Sequence, residues 1–117
     1  MYNHMVVGEL SGTDADRVFH ALADATRRDI LARVIHSGQS VSALAQHYPM
    51  SFAAVQKHVT VLERAALVTK QRRGREQVVH GDPAALRRAA RLLEAYEQIW
   101  RHRVEGIEQV LADEPER

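Results

Sequence analysis

The chain has no cysteine among its 117 residues, which excludes disulfides, thiolate metal sites and cysteine nucleophiles. It has no apolar run near the roughly 18 residues that a membrane-spanning helix needs. It has no glycine-rich phosphate loop, and its seven histidines (4, 20, 36, 47, 58, 80 and 102) form no H-x-x-x-H or H-E-x-x-H pair. Its first ten residues, M-Y-N-H-M-V-V-G-E-L, lack a basic segment followed by a long apolar stretch, so no secretory leader is read there. Ser51 and His58 fall two turns apart on one predicted helix, too far for a nucleophile–base hydrogen bond. These absences point to a cytoplasmic protein that is not an enzyme, with no cofactor and no bound metal.

What is present is ordinary in bulk and uneven in placement. Apolar residues make up 45% and charged residues 26%, as in a soluble single domain. The net charge of +1 conceals a basic middle. Residues 1–55 carry −1, residues 56–91 carry +6, and residues 92–117 carry −4. A basic centre between acidic ends suggests a polyanion contact in the centre, with a solvated charged face as the bland alternative.

Helical signals run in order through the first half. Thr13 and Asp16 read as a capping box ahead of Val18, Phe19 and Leu22, predicting a helix over about 14–22. Asp14 and Asp16 there serve the helix dipole rather than a metal. Asp24 caps a second helix over about 25–36, with Ile30, Leu31 and Val34 inward and Gly38 available as a left-handed C-cap. Arg27 and Arg28 stand in its first turn, where the dipole disfavours cations, so a phosphate contact or an ion pair is expected of them. Ser40 caps a short helix over about 41–48, buried through Val41, Leu44 and Ala45 and stopped by Pro49.

Ser51 then caps a helix over about 52–65. Val55, Val59 and Leu62 form its apolar stripe, while Phe52, Ala53, Gln56, Lys57 and Thr60 point the other way. Two short helices joined by a tight turn, the second with a polar outer face, make a helix-turn-helix. Residues 67–71 and 76–80 are β-prone and flank Arg72-Arg73-Gly74-Arg75, which reads as a hairpin with three arginines at its tip. Asp82 and Pro83 open a last helix reaching about residue 112. Leu86, Leu93, Trp100 and Ile107 recur along it every seven residues, widened by Ala89, Ala90, Tyr96, Val104 and Leu111. One small domain cannot cover an apolar face about 45 Å long, so a second copy is expected to do so.

The segments 19–31 (F-H-A-L-A-D-A-T-R-R-D-I-L), 40–45 (S-V-S-A-L-A), 51–68 (S-F-A-A-V-Q-K-H-V-T-V-L-E-R-A-A-L-V), the R-R-G-R-E wing and the late I-W-R-H-R resemble ArsR-type winged-helix repressors. The likeness covers about residues 14–111. It implies a mainly α fold with a small β-hairpin, five helices plus wing, dimeric through the terminal helices. It also implies a homodimer that represses transcription from an inverted-repeat DNA operator. The chain departs from the family pattern at Ala25, where proline is usual, and at Ala66, where glycine is usual; a left-handed backbone at Ala66 would carry strain. It departs again in sensing. Ala43-Leu44-Ala45-Gln46 has no thiolate ligand, and His102 with Glu105 supplies only half of the family's zinc pattern, because Arg91 stands where a histidine belongs.

The expected organisation is therefore a flexible segment over 1–11, a DNA-binding core over 12–82, a dimerisation helix over 83–112 and a tail over 113–117. Ser51, Phe52, Ala53, Gln56, Lys57 and Thr60 are the candidate contacts of the recognition helix, with Arg72, Arg73 and Arg75 on the wing. Gln56 suits adenine and Lys57 suits guanine or phosphate. His58 is expected to be packed and hydrogen-bonded. Phe19, Leu86, Leu93, Tyr96, Trp100, Val104, Ile107 and Leu111 are the candidate dimer contacts. The remaining alternatives are a zinc-responsive repressor of the same family and a winged helix that binds only protein.

Overall fold

The computed structural model describes residues 12–112. The expectations for residues 1–11 and 113–117 lie outside the described residues. Five helices and three strands follow in the order α1 (Gly12–Leu22), α2 (Ala25–His36), β1 (Gln39–Ser40), α3 (Val41–Ala45), α4 (Phe52–Arg64), β2 (Val68–Arg73), β3 (Glu76–Gly81) and α5 (Pro83–Ala112). The small sheet is antiparallel, ordered β1-β3-β2.

Each capping residue tested by the structure does its work through one oxygen. Asp24 Oδ1 accepts from the Arg27 N–H at 3.0 Å, Ser40 Oγ from Ala43 at 3.0 Å, and Ser51 Oγ from Ala54 at 3.1 Å. The Arg27 amide holds the Asp24 carboxyl below its ordinary range. Asp82 Oδ1 accepts from Ala84 N–H at 3.0 Å, with Pro83 in the first position of α5. Thr13 is different: α1 already begins at Gly12, so Thr13 lies inside the helix instead of capping it.

The core is apolar throughout, with no buried polar or charged residue among those described. Val18 and Ala21 of α1, Ile30, Leu31 and Val34 of α2, Val41 and Leu44 of α3, and Val55, Val59 and Leu62 of α4 meet Leu67, Val68 and Val79 of the sheet. Ala85 and Ala89 bring the start of α5 onto the same cluster. These two alanines leave room for the close approach of α5, whose remaining length projects from the body.

Four local expectations are corrected. The turn after α2 does not use Gly38 as a left-handed cap: Ser37 is extended (φ −163°, ψ 132°), and Gly74 has the positive φ found among glycines. Gly38 instead lies close against the His80 ring, and a Cβ there would come within 2.4 Å of it, so the ring would have to shift. α3 stops at Ala45, and residues 46–48 follow as tight turns bonded to carbonyls three residues back. Pro49 disfavours a helical conformation at Tyr48, so the helix cannot continue. The hairpin is tighter than a four-residue turn, since Arg73 pairs with Glu76 and leaves Gly74-Arg75 as the loop. Gly74, at φ +62°, occupies the position that type II′ hairpins assign to glycine. Finally, Arg27 and Arg28 make no ion pair among the described residues.

Those two arginines cap the end of α1. Arg27 Nε donates to the Ala21 carbonyl at 2.8 Å and its terminal nitrogen to His20 O at 3.0 Å. Arg28 donates to Leu22 O at 2.8 Å. Both cations thus sit at a helix C-terminus, where unsatisfied carbonyls and the dipole favour them. Arg27 also reaches His58 Nδ1 at 3.3 Å, tying α1 and α2 to α4. A second tie holds the turn before α4: the Tyr48 hydroxyl donates to Asp29 Oδ2 at 2.6 Å, and Arg33 Nε donates to the same oxygen at 2.8 Å. The guanidinium of Arg33 lies over the Tyr48 ring at 5.9 Å.

Candidate nucleic-acid interface

The site is built on α4. Val55, Val59 and Leu62 anchor it in the core, so its opposite face is fixed in direction by packing. Ser51, Phe52, Ala53, Gln56 and Lys57 are exposed on that face, and Thr60 is half-buried one turn further on. The Ser51 oxygen is used as acceptor in the cap, which leaves its hydroxyl hydrogen free to be donated. Phe52 remains 47% exposed, an apolar ring at the leading end of the helix. His58 is half-buried and held by Arg27, as expected of a packed residue.

The hairpin stands beside this face. A groove of about 560 Å³ joins the two, lined by Ala53, Gln56, Lys57 and Thr60 from α4 and by Lys70 and Gln77 from the hairpin. Arg64 closes its far end. Lys70 is set by an ion pair to Glu63 of α4 at 3.2 Å. Arg64, Lys70 and Gln77 are absent from the sequence-derived contacts. For Arg64 the signal was available, because 53, 57, 60 and 64 share one helical face. Lys70 and Gln77 become visible only once the strand register is known.

Arg72, Arg73 and Arg75 are all exposed, and none has a hydrogen-bond or ion-pair partner among the described residues. The tight loop places Arg72 and Arg73 within β2, opposite Gln77 and Glu76. Consecutive strand residues face opposite sides, so these two arginines diverge around the hairpin while Arg75 occupies its tip. No group of three or more His, Asp or Glu side chains comes together as a metal cluster among the described residues.

The candidate dimer residues divide into two sets. Leu93, Tyr96, Trp100, Ile107 and Leu111 are exposed along α5, Trp100 by 66%, and Phe19 of α1 is exposed by 37%. Ile99 and Val110, not singled out from sequence, belong to the same exposed apolar surface. Val104 is half-exposed. Leu86 differs, being packed against the chain's own core beside Ala85 and Ala89. Its seven-residue spacing with Leu93 therefore spans two environments.

A helix-turn-helix with an exposed polar recognition face and a basic hairpin folded beside it defines a winged helix-turn-helix. The comparisons with known proteins agree. The HTH-type transcriptional regulator Rv2034 of Mycobacterium tuberculosis is 36% identical over 99 residues, covering 85% of this chain and 90% of that protein. A solved ArsR-like transcriptional regulator from Rhodococcus sp. RHA1 is 36% identical at a TM-score of 0.75, covering 84% of this chain and 92% of that one. The homodimeric winged helix-turn-helix DNA-binding domain Mb0332 of Mycobacterium bovis has the same fold, with a TM-score of 0.61 at 24% identity over 74% of this chain and 80% of that one. No family profile matches the sequence. The chain belongs to the ArsR family of transcriptional regulators, and its function is that of a DNA-binding transcriptional regulator.

Proposed function

We propose that the protein is a repressor that binds an inverted-repeat operator as a homodimer. The observation that carries this reading is the polar face of α4 joined by a groove to the hairpin, whose Arg72, Arg73 and Arg75 are exposed and without side-chain partners among the described residues. In this reading Gln56 pairs with adenine and Lys57 with guanine or phosphate, while Phe52 and Ala53 lie against thymine methyls. Ser51 and the amides it leaves at the start of α4 hold a phosphate. Thr60 and Arg64 continue the contact along the groove, and Arg72, Arg73 and Arg75 grip the flanking backbone.

The exposed apolar residues of α5, with Phe19, supply the dimer contact. An apolar face of this length on a small soluble domain marks an interaction surface. Two-fold symmetry then sets the half-sites about one helical turn, roughly 34 Å, apart. Repression follows from occupying the promoter against polymerase. A gel shift on the DNA upstream of the protein's own gene tests the reading. Wild type should shift it, and Gln56→Ala and Arg73→Ala should each weaken the shift by about tenfold, as expected for a lost base pair contact or phosphate contact. Wild-type-like shifts by both variants would refute it.

A further inference from the structure

A second basic site lies at the other end of α4. The helix runs about 20 Å from Ser51 to Arg64. Beyond it the chain turns through Ala66, whose N–H donates to Glu63 O at 2.9 Å while Leu67 N–H donates to Leu62 O at 3.0 Å. This compact turn, the first two turns of α5 and the adjoining side of α1 line a cavity of about 70 Å³. Its floor is Val18, Ala65 and Ala85, all buried in the core. Its rim carries Arg17 of α1, Arg64 of α4 and Arg88 of α5, with Asp14 as the one carboxylate.

None of the three arginines has a hydrogen-bond or ion-pair partner among the described residues. Arg27, Arg28 and Arg33, by contrast, are engaged: Arg27 and Arg28 cap α1, and Arg33 pairs with Asp29. Three arginines from three separate helices, set against the one carboxylate of Asp14, leave the rim with a net positive charge that an anion between them would offset. The floor lowers the local dielectric and strengthens that attraction. Guanidinium groups bind phosphate and carboxylate through paired N–H donors.

We propose that this cavity binds the phosphate or carboxylate group of a small anionic ligand. Arg88, half-buried and borne on α5, and Arg17 on α1 form the two sides of the clamp, and Arg64 closes it. Arg64 also lines the DNA groove, so a bound anion and an operator phosphate draw on one guanidinium. That consequence, though not the binding itself, rests on the proposed DNA reading.

The test is titration calorimetry on the full chain at constant ionic strength, with inorganic phosphate and succinate as separate probes. The expected result is saturable binding of at least one probe, and the stronger of the two identifies the ligand chemistry. Arg17→Gln and Arg88→Gln should each weaken it about tenfold. Arg73→Gln, on the hairpin, should leave it unchanged, and Asp14→Asn should tighten it by removing the carboxylate from the rim. Circular dichroism of each variant establishes that it is folded. Absence of saturable binding, as when a partner's carboxylate already fills the clamp, overturns the proposal. So does binding that survives Arg17→Gln and Arg88→Gln, or that Arg73→Gln abolishes. The gel shift fails separately, so loss of the DNA reading would not be mistaken for loss of this site.

Discussion

Ala66 is the one non-glycine residue with positive φ among those described, at 62°. It follows α4 in the turn closed by the Ala66–Glu63 and Leu67–Leu62 hydrogen bonds. That left-handed conformation costs a residue bearing Cβ about 1–2 kcal/mol. Glycine removes the strain but brings back about 0.5–1 kcal/mol of chain entropy lost on folding. Ala66→Gly should therefore stabilise the fold by about 0.5–1 kcal/mol, raising Tm by about 2–6 °C for a domain of this size. The Ala66 side chain is exposed, so its removal leaves no cavity. Ala65 provides the contrast: it is buried, at φ −85°, and Ala65→Gly should lower Tm. Thermal unfolding followed by circular dichroism at one fixed protein concentration compares the two, since self-association would otherwise shift Tm. A Tm for Ala66→Gly at or below wild type would refute the strain argument.

The remaining predictions concern packing, acidity and assembly. Gly81→Ala would place a Cβ 2.4 Å from Ile35 Cγ1 and 2.9 Å from its Cα, so α2 backbone must move and urea unfolding should register a loss of about 2 kcal/mol or more. An unchanged midpoint would contradict that packing. The Tyr48 hydroxyl, then Arg33, hold the Asp29 carboxyl below its ordinary value of 3.8. A depressed folded pKa gives stability that is present above pH 3.8 and is lost as pH falls through the folded value. Tyr48→Phe should flatten that acid limb, and an identical pH profile would sink the assignment. At the other extreme, burial and then the bond to Asp29 push Tyr48 up to about 12, so stability should also decline from pH 10 towards 12 in wild type and not in Tyr48→Phe. Trp100→Glu should elute from size exclusion as a smaller species than wild type; co-elution would remove the α5 interface.

Much of this architecture was legible because local signals agreed with tertiary ones. Asp24, Ser40 and Ser51 each precede an apolar stripe, so the starts of α2, α3 and α4 could be placed from caps alone. The recognition face followed from α4, where core and exposed positions alternate cleanly. What was hidden depended on pairing across the chain. β1 is two residues long and exists only through its register with Val78 and Val79. The role of Arg27 and Arg28 required knowing that the end of α1 crosses their helix. On α5 the seven-residue repeat joined Leu86 to Leu93, but only the burial of Ala85, Ala89 and Leu92 shows where the inward face gives way to free surface. The anion clamp was invisible for the same reason, since Arg17, Arg64 and Arg88 lie on three helices.

The salt dependence of operator affinity tests the central claim most directly. If each subunit of a dimer neutralises about four phosphates, log K against log [salt] should fall with a slope near −7. Arg73→Ala removes one phosphate contact per subunit and should make that slope shallower by about 2. A slope near zero, or one that Arg73→Ala leaves unchanged, would contradict a dimer holding DNA through α4 and its arginine hairpin.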